Sequence, residues 1–319
     1  MQSSTYVNGT SAAQSGWTWE RALSGVVPPM ISPLTEDGAV DVPAVGRVVE
    51  HILAGGCSGI FVVGGCGEGS WLSTVQRGAM IRATVEAAAG RAPVLAGLML
   101  PATAPALDAA EQAVDAGADA LVVGSPYYFS AGAAGQLRHV RAVLAASDLP
   151  VLLYDIPQCT HSVLAVDAVQ TLAEEPRVLG IKDSSGDLGY FQQLLAIKTR
   201  RPDFRVLQGN ELVMAASLLL GCDGLIPGYS NIAPRVYVAM RQAAAAGDVG
   251  ACRAAQTTLA DLNEIGLQAG IPAIKAACAL LGLCQATPAA PFAPPSDAER
   301  QAIEGVLRRH HLLQAPVAA

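Results

Sequence analysis

The chain has 319 residues, of which 51% are apolar and 15% charged, with 32 glycines and 20 prolines spread along it, the composition of a soluble globular α/β protein with a large core. A formal charge of −7 and a pI near 5.2 disfavour electrostatic capture of nucleic acid or of an anionic membrane. No run reaches ~18 consecutive apolar residues, and the N-terminus lacks a basic stretch followed by an apolar one, so no membrane span is expected and the cytoplasm is the expected compartment. Residues 1–20 and 313–319 are small and unpatterned and read as loose tails. Between them, short β-branched runs alternate with Ala-rich segments of 3.6-residue period.

In chain order, the strand candidates are Gly25–Pro33, Gly59–Gly64, Pro93–Leu98, Ala120–Gly124, Pro150–Tyr154, Val178–Lys182, Phe204–Gln208 and Gly224–Pro227. Helices are expected between them, near 42–54, 74–89, 103–116, 131–146, 165–175, 187–200 and 211–220, with glycine stops at Gly55-Gly56, Gly90, Gly117 and Gly221. Eight strand-then-helix units predict an α/β fold, a (β/α)8 TIM barrel over residues 21–247, with its chemistry on the loops after the strands. A doubly wound sheet is the competing architecture, weakened by the absence of a dinucleotide fingerprint after the first strand. Further helical segments near 249–268, 271–283 and 296–311 exceed what the barrel needs and predict a C-terminal helical appendage over 248–312.

Seven cysteines form no C-x-x-C pair, and their odd number argues against a complete disulfide framework. Five histidines show no metal-ligand spacing, so neither a metal nor another cofactor is expected. The chain contains only three lysines, and Lys182 lies in the apolar run Val178-Leu179-Gly180-Ile181-Lys182. An ammonium in a buried strand is desolvated at heavy cost unless its pKa falls, and a neutral amine is a nucleophile toward carbonyl carbon. The alternative is a lysine that snorkels to the strand end and pairs with Asp183. Lys198 reads as a solvated helix end and Lys275 as half exposed.

Four loops at strand ends carry unusual chemistry. Gly64-Gly65-Cys66-Gly67-Glu68-Gly69-Ser70 follows the second strand, where a glycine-rich backbone can turn successive N–H groups toward one anion. It has neither the lysine of a phosphate-binding loop nor the dinucleotide spacing, so a carboxylate suits it better than a nucleotide phosphate, and a plain tight turn stays open. Ser125-Pro126-Tyr127-Tyr128-Phe129 ends the fourth strand and Leu153-Tyr154-Asp155-Ile156-Pro157 the fifth. Tyr154 terminates its strand as Lys182 terminates the next, and neighbouring strands lie only ~4.8 Å apart, so a phenol beside an imine-forming lysine is a candidate proton shuttle. Glu68 and Asp183 are expected to cap or pair locally.

Together, G-G-C-G-E, S-P-Y-Y, L-Y-D-I-P and G-I-K-D-S-S-G, in this order, resemble the dihydrodipicolinate synthase and N-acetylneuraminate lyase family. The resemblance runs from about Gly25 to Pro295 and extends to Gln208-Gly209-Asn210-Glu211, Gly224-Leu225-Ile226-Pro227-Gly228 and Ile271-Pro272-Ala273-Ile274-Lys275. It implies a TIM barrel with a C-terminal helical region, assembled as a dimer of dimers, acting on a 2-oxo acid and an aldehyde. It further implies Lys182 as Schiff-base lysine, Tyr154 as catalytic tyrosine, and Gly65 and Cys66 as holders of the 2-oxo acid carboxylate. By the same resemblance Ile226 touches the pyruvyl group and Tyr128 supports a proton relay across a dimer interface.

Two positions depart from the pattern. The family usually has Thr or Ser at Gly65, and true dihydrodipicolinate synthases carry an arginine at Cys159 to bind the aldehyde's carboxylate. A thiol offers neither charge nor a bidentate fork, which argues against lysine biosynthesis. Histidines found after Glu68 in lysine-inhibited members are missing, so feedback by lysine is not expected. The expectation is a class I lyase or aldolase joining or splitting pyruvate and an aldehyde. A 2-keto-3-deoxy sugar-acid dehydratase using the same imine and a non-catalytic binder of 2-oxo acids are the alternatives.

Overall fold

Alternating apolar runs and amphipathic segments fold into seven parallel strands, each separated from the next by helix. The computed structural model describes residues 16–313. The expected tails at 1–15 and 314–319 lie outside the described residues. Within the expected N-terminal tail, however, Thr18 caps a first helix by accepting from the Arg21 N–H, so ordered chain begins before residue 21.

The strands are β1 (Ile60–Val62), β2 (Val94–Leu98), β3 (Ala120–Gly124), β4 (Val151–Asp155), β5 (Val178–Asp183), β6 (Arg205–Gln208) and β7 (Gly224–Leu225), in spatial order β1 to β7. Helices are α1 (Trp19–Leu23), α2 (Val42–Ala54), α3 (Thr74–Ala88), α4 (Thr103–Asp115), α5 (Gly132–Ala146), α6 (Pro157–Thr160), α7 (Val166–Leu172), α8 (Leu188–Ala196) and α9 (Met214–Leu219). They continue with α10 (Pro234–Ala245), α11 (Val249–Ala269), α12 (Ile271–Leu280) and α13 (Asp297–Arg309). Gly56, Gly90, Gly117 and Gly221 have φ between 71° and 104°, the left-handed stops expected from the sequence. The short α6, which the sequence pattern did not indicate, begins with Pro157, whose fixed φ and missing N–H suit a first helical position.

The expected first strand, Gly25–Pro33, is the correction. It forms only single parallel bridges, Val26 to Leu225 of β7 and Pro29 to Phe61 of β1. Pro28, Pro29 and Pro33 have no N–H to donate, so a continuous ladder cannot form. Four backbone bonds do the joining: Val27 N–H to Leu225 O, Leu225 N–H to Gly25 O, Met30 N–H to Phe61 O and Phe61 N–H to Pro28 O. The buried Asn231 side chain supplies the rest, accepting from the Ile31 N–H and donating to the carbonyls of Pro29 and Gly228. Residues 25–31 thus link the two edges of the sheet.

Strand residues alternate between two apolar clusters, as the two-residue period of a strand requires. Val27, Phe61, Leu95, Ala120, Val122, Leu152, Tyr154, Leu207 and Ile226 share the inner cluster. Ile60, Val62, Val94, Ala96, Leu121, Val123, Val151, Leu153, Ile181 and Val206 face the helices in the outer one. A register shift between Val151 and Leu152, opposite Val178 and Gly180, leaves Leu179 as the extra residue of β5. That shift brings Tyr154 into register with Lys182, both on the inner side.

Two aspartates repeat one device at the strand beginnings. Asp119, just before β3, donates its N–H to Val94 O and accepts from Val94 N–H, and Asp223, just before β7, does the same with Val206. Asp223 also pairs with Lys198 at 2.8 Å and Arg205 at 3.1 Å. Lys198 is therefore an ion-pair partner, not the solvated helix end expected from its polar neighbours. Asp223→Ala should lower the unfolding free energy by about 2–4 kcal/mol, since it strands a buried N–H and two cations. Asp223→Asn, which keeps an acceptor for Val206, should lose less than half of that in chemical denaturation.

Candidate active site

Lys182 sits at the end of β5 with its side chain 3% exposed, and its Nζ lies 4.1 Å from the centre of the Tyr154 ring and 5.4 Å from that of Phe61. Phe61 and Tyr154 meet edge to face, 6.1 Å between centres. The lysine reaches this position because residue 209 is glycine. A Cβ there would stand 2.5 Å from Lys182 Cε and 2.2 Å from Ser184 Oγ. Of the two readings of Lys182, the ion pair with Asp183 does not form. Asp183 lies on the opposite face of β5 and accepts instead from the Ser185 N–H, the local capping expected of it.

The other two lysines are both paired, Lys198 with Asp223 and Lys275 with Glu68, whereas Lys182 forms no ion pair among the described residues. Burial pulls its pKa down to about 8, opposed by Cys66, Glu211, Cys159 and Asp183. A substantial fraction of the amine is then neutral near physiological pH. The Tyr154 phenol moves the other way, pushed above its ordinary value by burial with Ser184 opposing, and so keeps its proton. Burial pushes the Cys66 thiol up to about 12, and the Cys159 thiol is raised too.

Lys182, Tyr154, Cys66 and Cys159 are thus brought together, with both thiols close enough to act on the amine and on the phenol. Ile226 is fully buried in the same inner cluster as Tyr154. Gly65 and Cys66 begin the turn after β1, and neither N–H hydrogen-bonds another residue among those described. Gly65 also faces open space, with nothing within 4 Å of where a Cβ would be. The neighbouring glycines of the loop are different, since a Cβ at Gly69 would meet Val63 O at 1.8 Å and one at Gly67 would meet Met30 O at 2.8 Å. Close packing therefore explains most of the loop's glycine, but not Gly65. Tyr128, by contrast, is 82% exposed at φ 81° and stacks edge-on against Phe129 at 5.0 Å, so a single chain does not bring it to Lys182.

Sequence reasoning missed Glu211. It accepts from the Gly228 N–H at 2.6 Å and faces Lys182, and burial raises its pKa against backbone donors and the lysine charge. A Cβ at Gly228 would lie 3.1 Å from Cys66 Sγ and 3.3 Å from Glu211 Oε1, which places thiol and carboxyl on one side of the site. Its signal was present as a carboxylate three residues after the end of β6. Ser184, the first residue after β5, was likewise unassigned, though it opposes the rise of the Tyr154 phenol. Two expectations fail outright: Lys275 is fully buried, not half exposed, and Glu68 pairs with it across 207 positions instead of capping locally. Among the described residues, no cluster of three or more His, Cys, Asp or Glu could hold a metal ion, and no helix is long and apolar enough to cross a membrane. All seven cysteines are free thiols.

Behind the inner face, Asp155 and Asp183 are neighbours across β4 and β5 and are 1% and 0% exposed. Asp155 Oδ1 accepts from the Leu164 N–H at 2.6 Å, while its Oδ2 and that of Asp183 have no partner among the described residues. Burial, aided by Asp183, pushes Asp155 up to about 7 from an ordinary 3.8. The folded protein then holds a proton that the unfolded chain releases, so stability falls as pH rises from about 4 through about 7. Asp155→Asn should remove that slope and raise the thermal midpoint more at pH 8 than at pH 5; equal shifts at both would refute it.

Residues 22–310 match the model of the dihydrodipicolinate synthetase family. A 4-hydroxy-tetrahydrodipicolinate synthase from Sorangium cellulosum is 36% identical over 290 residues, 90% of this chain and 96% of that one. A protein from Halobacterium salinarum described as an uncharacterized DapA-like lyase is 32% identical over 89% of this chain and 93% of its own length. Among solved structures, dihydrodipicolinate synthase from Bacteroides thetaiotaomicron superposes with a TM-score of 0.85 at 36% identity, covering 90% of this chain and 98% of that one. A prophage protein of the dihydrodipicolinic acid synthase family from E. coli K12, solved in complex with pyruvate, gives a TM-score of 0.86 at 29% identity over 90% and 98% of the two chains.

Proposed function

The chain belongs to the dihydrodipicolinate synthetase family, and from that premise we propose that it is a class I lyase or aldolase in which Lys182 forms a Schiff base with pyruvate or a related 2-oxo acid. The observation that carries this reading is an amine 3% exposed, unpaired, and lowered to about 8 beside a phenol at the next strand end. In this reading the ring linked through residues 25–31 is a TIM-type barrel over about 21–247, with 248–312 as the helical region packed on it.

The neutral amine attacks the ketone carbon, and loss of water from the carbinolamine leaves a protonated imine. Tyr154 enters this step as an acid, because burial keeps its phenol protonated, and gives its proton to the departing hydroxyl. The phenolate left behind is stabilised by the adjacent iminium charge. As the base it takes the proton from the C4 hydroxyl in cleavage; in condensation it takes a C3 proton from the iminium to form the enamine and, a phenol again, gives that proton to the new alkoxide. The free N–H groups of Gly65 and Cys66 suit the substrate carboxylate, and Ile226 lies where the pyruvyl carbon would pack. Tyr128 would join the relay only from a second copy of the chain in the family's dimer of dimers, in keeping with its exposure here.

The aldehyde half is a separate matter. Relatives named 4-hydroxy-tetrahydrodipicolinate synthase make that condensation the first to assay, but Cys159 offers no cation to an aldehyde carboxylate, and the proposed partner is another aldehyde. A second reading, dehydration of a 2-keto-3-deoxy sugar acid, is favoured by Glu211. A carboxyl whose pKa burial raises can protonate a leaving hydroxyl beside the imine. Two carbon products from one substrate support cleavage, and a single product short of water supports dehydration.

Incubation with pyruvate and borohydride should add a reduced pyruvyl group to Lys182, found by peptide mass. Below about pH 8 trapping should rise roughly tenfold per pH unit as the amine loses its proton, then level off, because the neutral form is the nucleophile. Lys182→Arg should give no adduct. A wild-type protein without adduct, or a profile still climbing at pH 10, would exclude the proposal.

A further inference from the structure

The loop that carries Gly65 and Cys66 is held from outside the pocket by a group far away in sequence. Glu68 is its knot. Its backbone N–H donates to Gly65 O at 2.9 Å, and its carbonyl accepts from the N–H groups of Trp71 and Leu72. Its carboxylate accepts from Lys275 Nζ of α12 at 2.5 Å and from the Ala289 N–H at 2.7 Å. Both charged side chains are 0% exposed. Glu68 itself has φ 56° and Val63, at the other end of the turn, φ 50°. A left-handed backbone at a β-branched residue persists only where its surroundings over-determine it.

A fully buried ion pair is a poor source of net stability, because desolvation of both ions offsets most of their attraction. Its directional hold on one loop conformation is the better reason for it. Resting on the Schiff-base reading above, we propose that Lys275 and Glu68 are positioning residues for the substrate carboxylate: their ion pair sets the turn that presents the Gly65 and Cys66 N–H groups. Through this pair α12, whose Ile274 lies beside Gly228 on the Cys66 side of the site, acts on 2-oxo acid affinity by way of the loop, and the amine of Lys182 keeps its own environment. Lys275 Nζ has no other acceptor among the described hydrogen bonds, and the only other donor to the Glu68 carboxylate among them is the Ala289 N–H.

The test compares the wild-type protein with Lys275→Met, Glu68→Gln and the double variant Glu68→Gln/Lys275→Met. The double variant removes both buried charges while keeping an acceptor for the Ala289 N–H, and it guards against single variants that leave one buried charge unpaired. For each, borohydride trapping is followed against pyruvate concentration and pH, alongside thermal unfolding. The half-saturating pyruvate concentration should rise at least tenfold in the double variant, while the limiting trapping rate changes less than about threefold and its pH midpoint stays near the wild-type value. A folded double variant with wild-type half-saturation would overturn the inference, as would variants that all fail to fold, since the pair would then serve folding alone. Absence of any adduct on the wild-type protein would bring down the Schiff-base reading and this inference with it. A wild-type adduct with unmoved half-saturation in the variants brings down this inference alone.

Discussion

Desolvation of the Lys182 amine is the constraint around which the rest is arranged. An ammonium enclosed by Phe61 and Tyr154 without a carboxylate partner loses its water and gains little in return, so the uncharged form becomes accessible at ordinary pH. Each surrounding feature either protects that condition or exploits it. Gly209 leaves room for the side chain, β4 and β5 put the phenol in register with it, and the parity of the strand sends Asp183 to the opposite face. A carboxylate on the same side at hydrogen-bond distance would restore the charge. Glu211 faces the amine from the turn after β6, but its acceptor is engaged by the Gly228 N–H and burial raises its own pKa.

The same physics, burial favouring the uncharged form, acts on both sides of the sheet. Inside, burial lowers a base and raises a phenol, leaving a neutral amine beside a proton donor, the complementary states that addition to a carbonyl needs. Outside, burial acts on two acids, Asp155 and Asp183, and favours retention of a proton there. One residue of displacement along a strand separates the two environments. The bulge at Leu179 matters for that reason, because it decides which residues of β5 face inward at the level of Tyr154.

Much of this was legible in the sequence because it is local. The alternation of short apolar runs and Ala-rich segments located all seven strands and nearly every long helix, and left-handed glycines marked their ends. Lys182 and Tyr154 could be paired because both end a strand and consecutive strands are neighbours. What was not legible depends on distant partners. Lys275 looked half exposed because its helix is merely apolar on average, and only Glu68, 207 positions away, accounts for a buried cation there. Lys198 looked solvated until Asp223 supplied its counter-charge. The first strand looked regular because Val26, Val27 and Ile31 fit a strand, while three prolines withheld the donors that a ladder requires.

That proline-rich segment bears on how the ring comes into being. Its bridge to Leu225 and its Asn231 contacts join residues some 200 positions apart, so the seam can be sealed only after β7 and the turn beyond it exist. During synthesis the first residues of the ring can meet Phe61 early, but their other edge waits for almost the last residues of the ring, and every other strand can find its neighbour sooner. The proline nitrogens that spoil the ladder also leave this waiting edge with few exposed donors. A segment poorly able to recruit a foreign strand is a safe one to leave open.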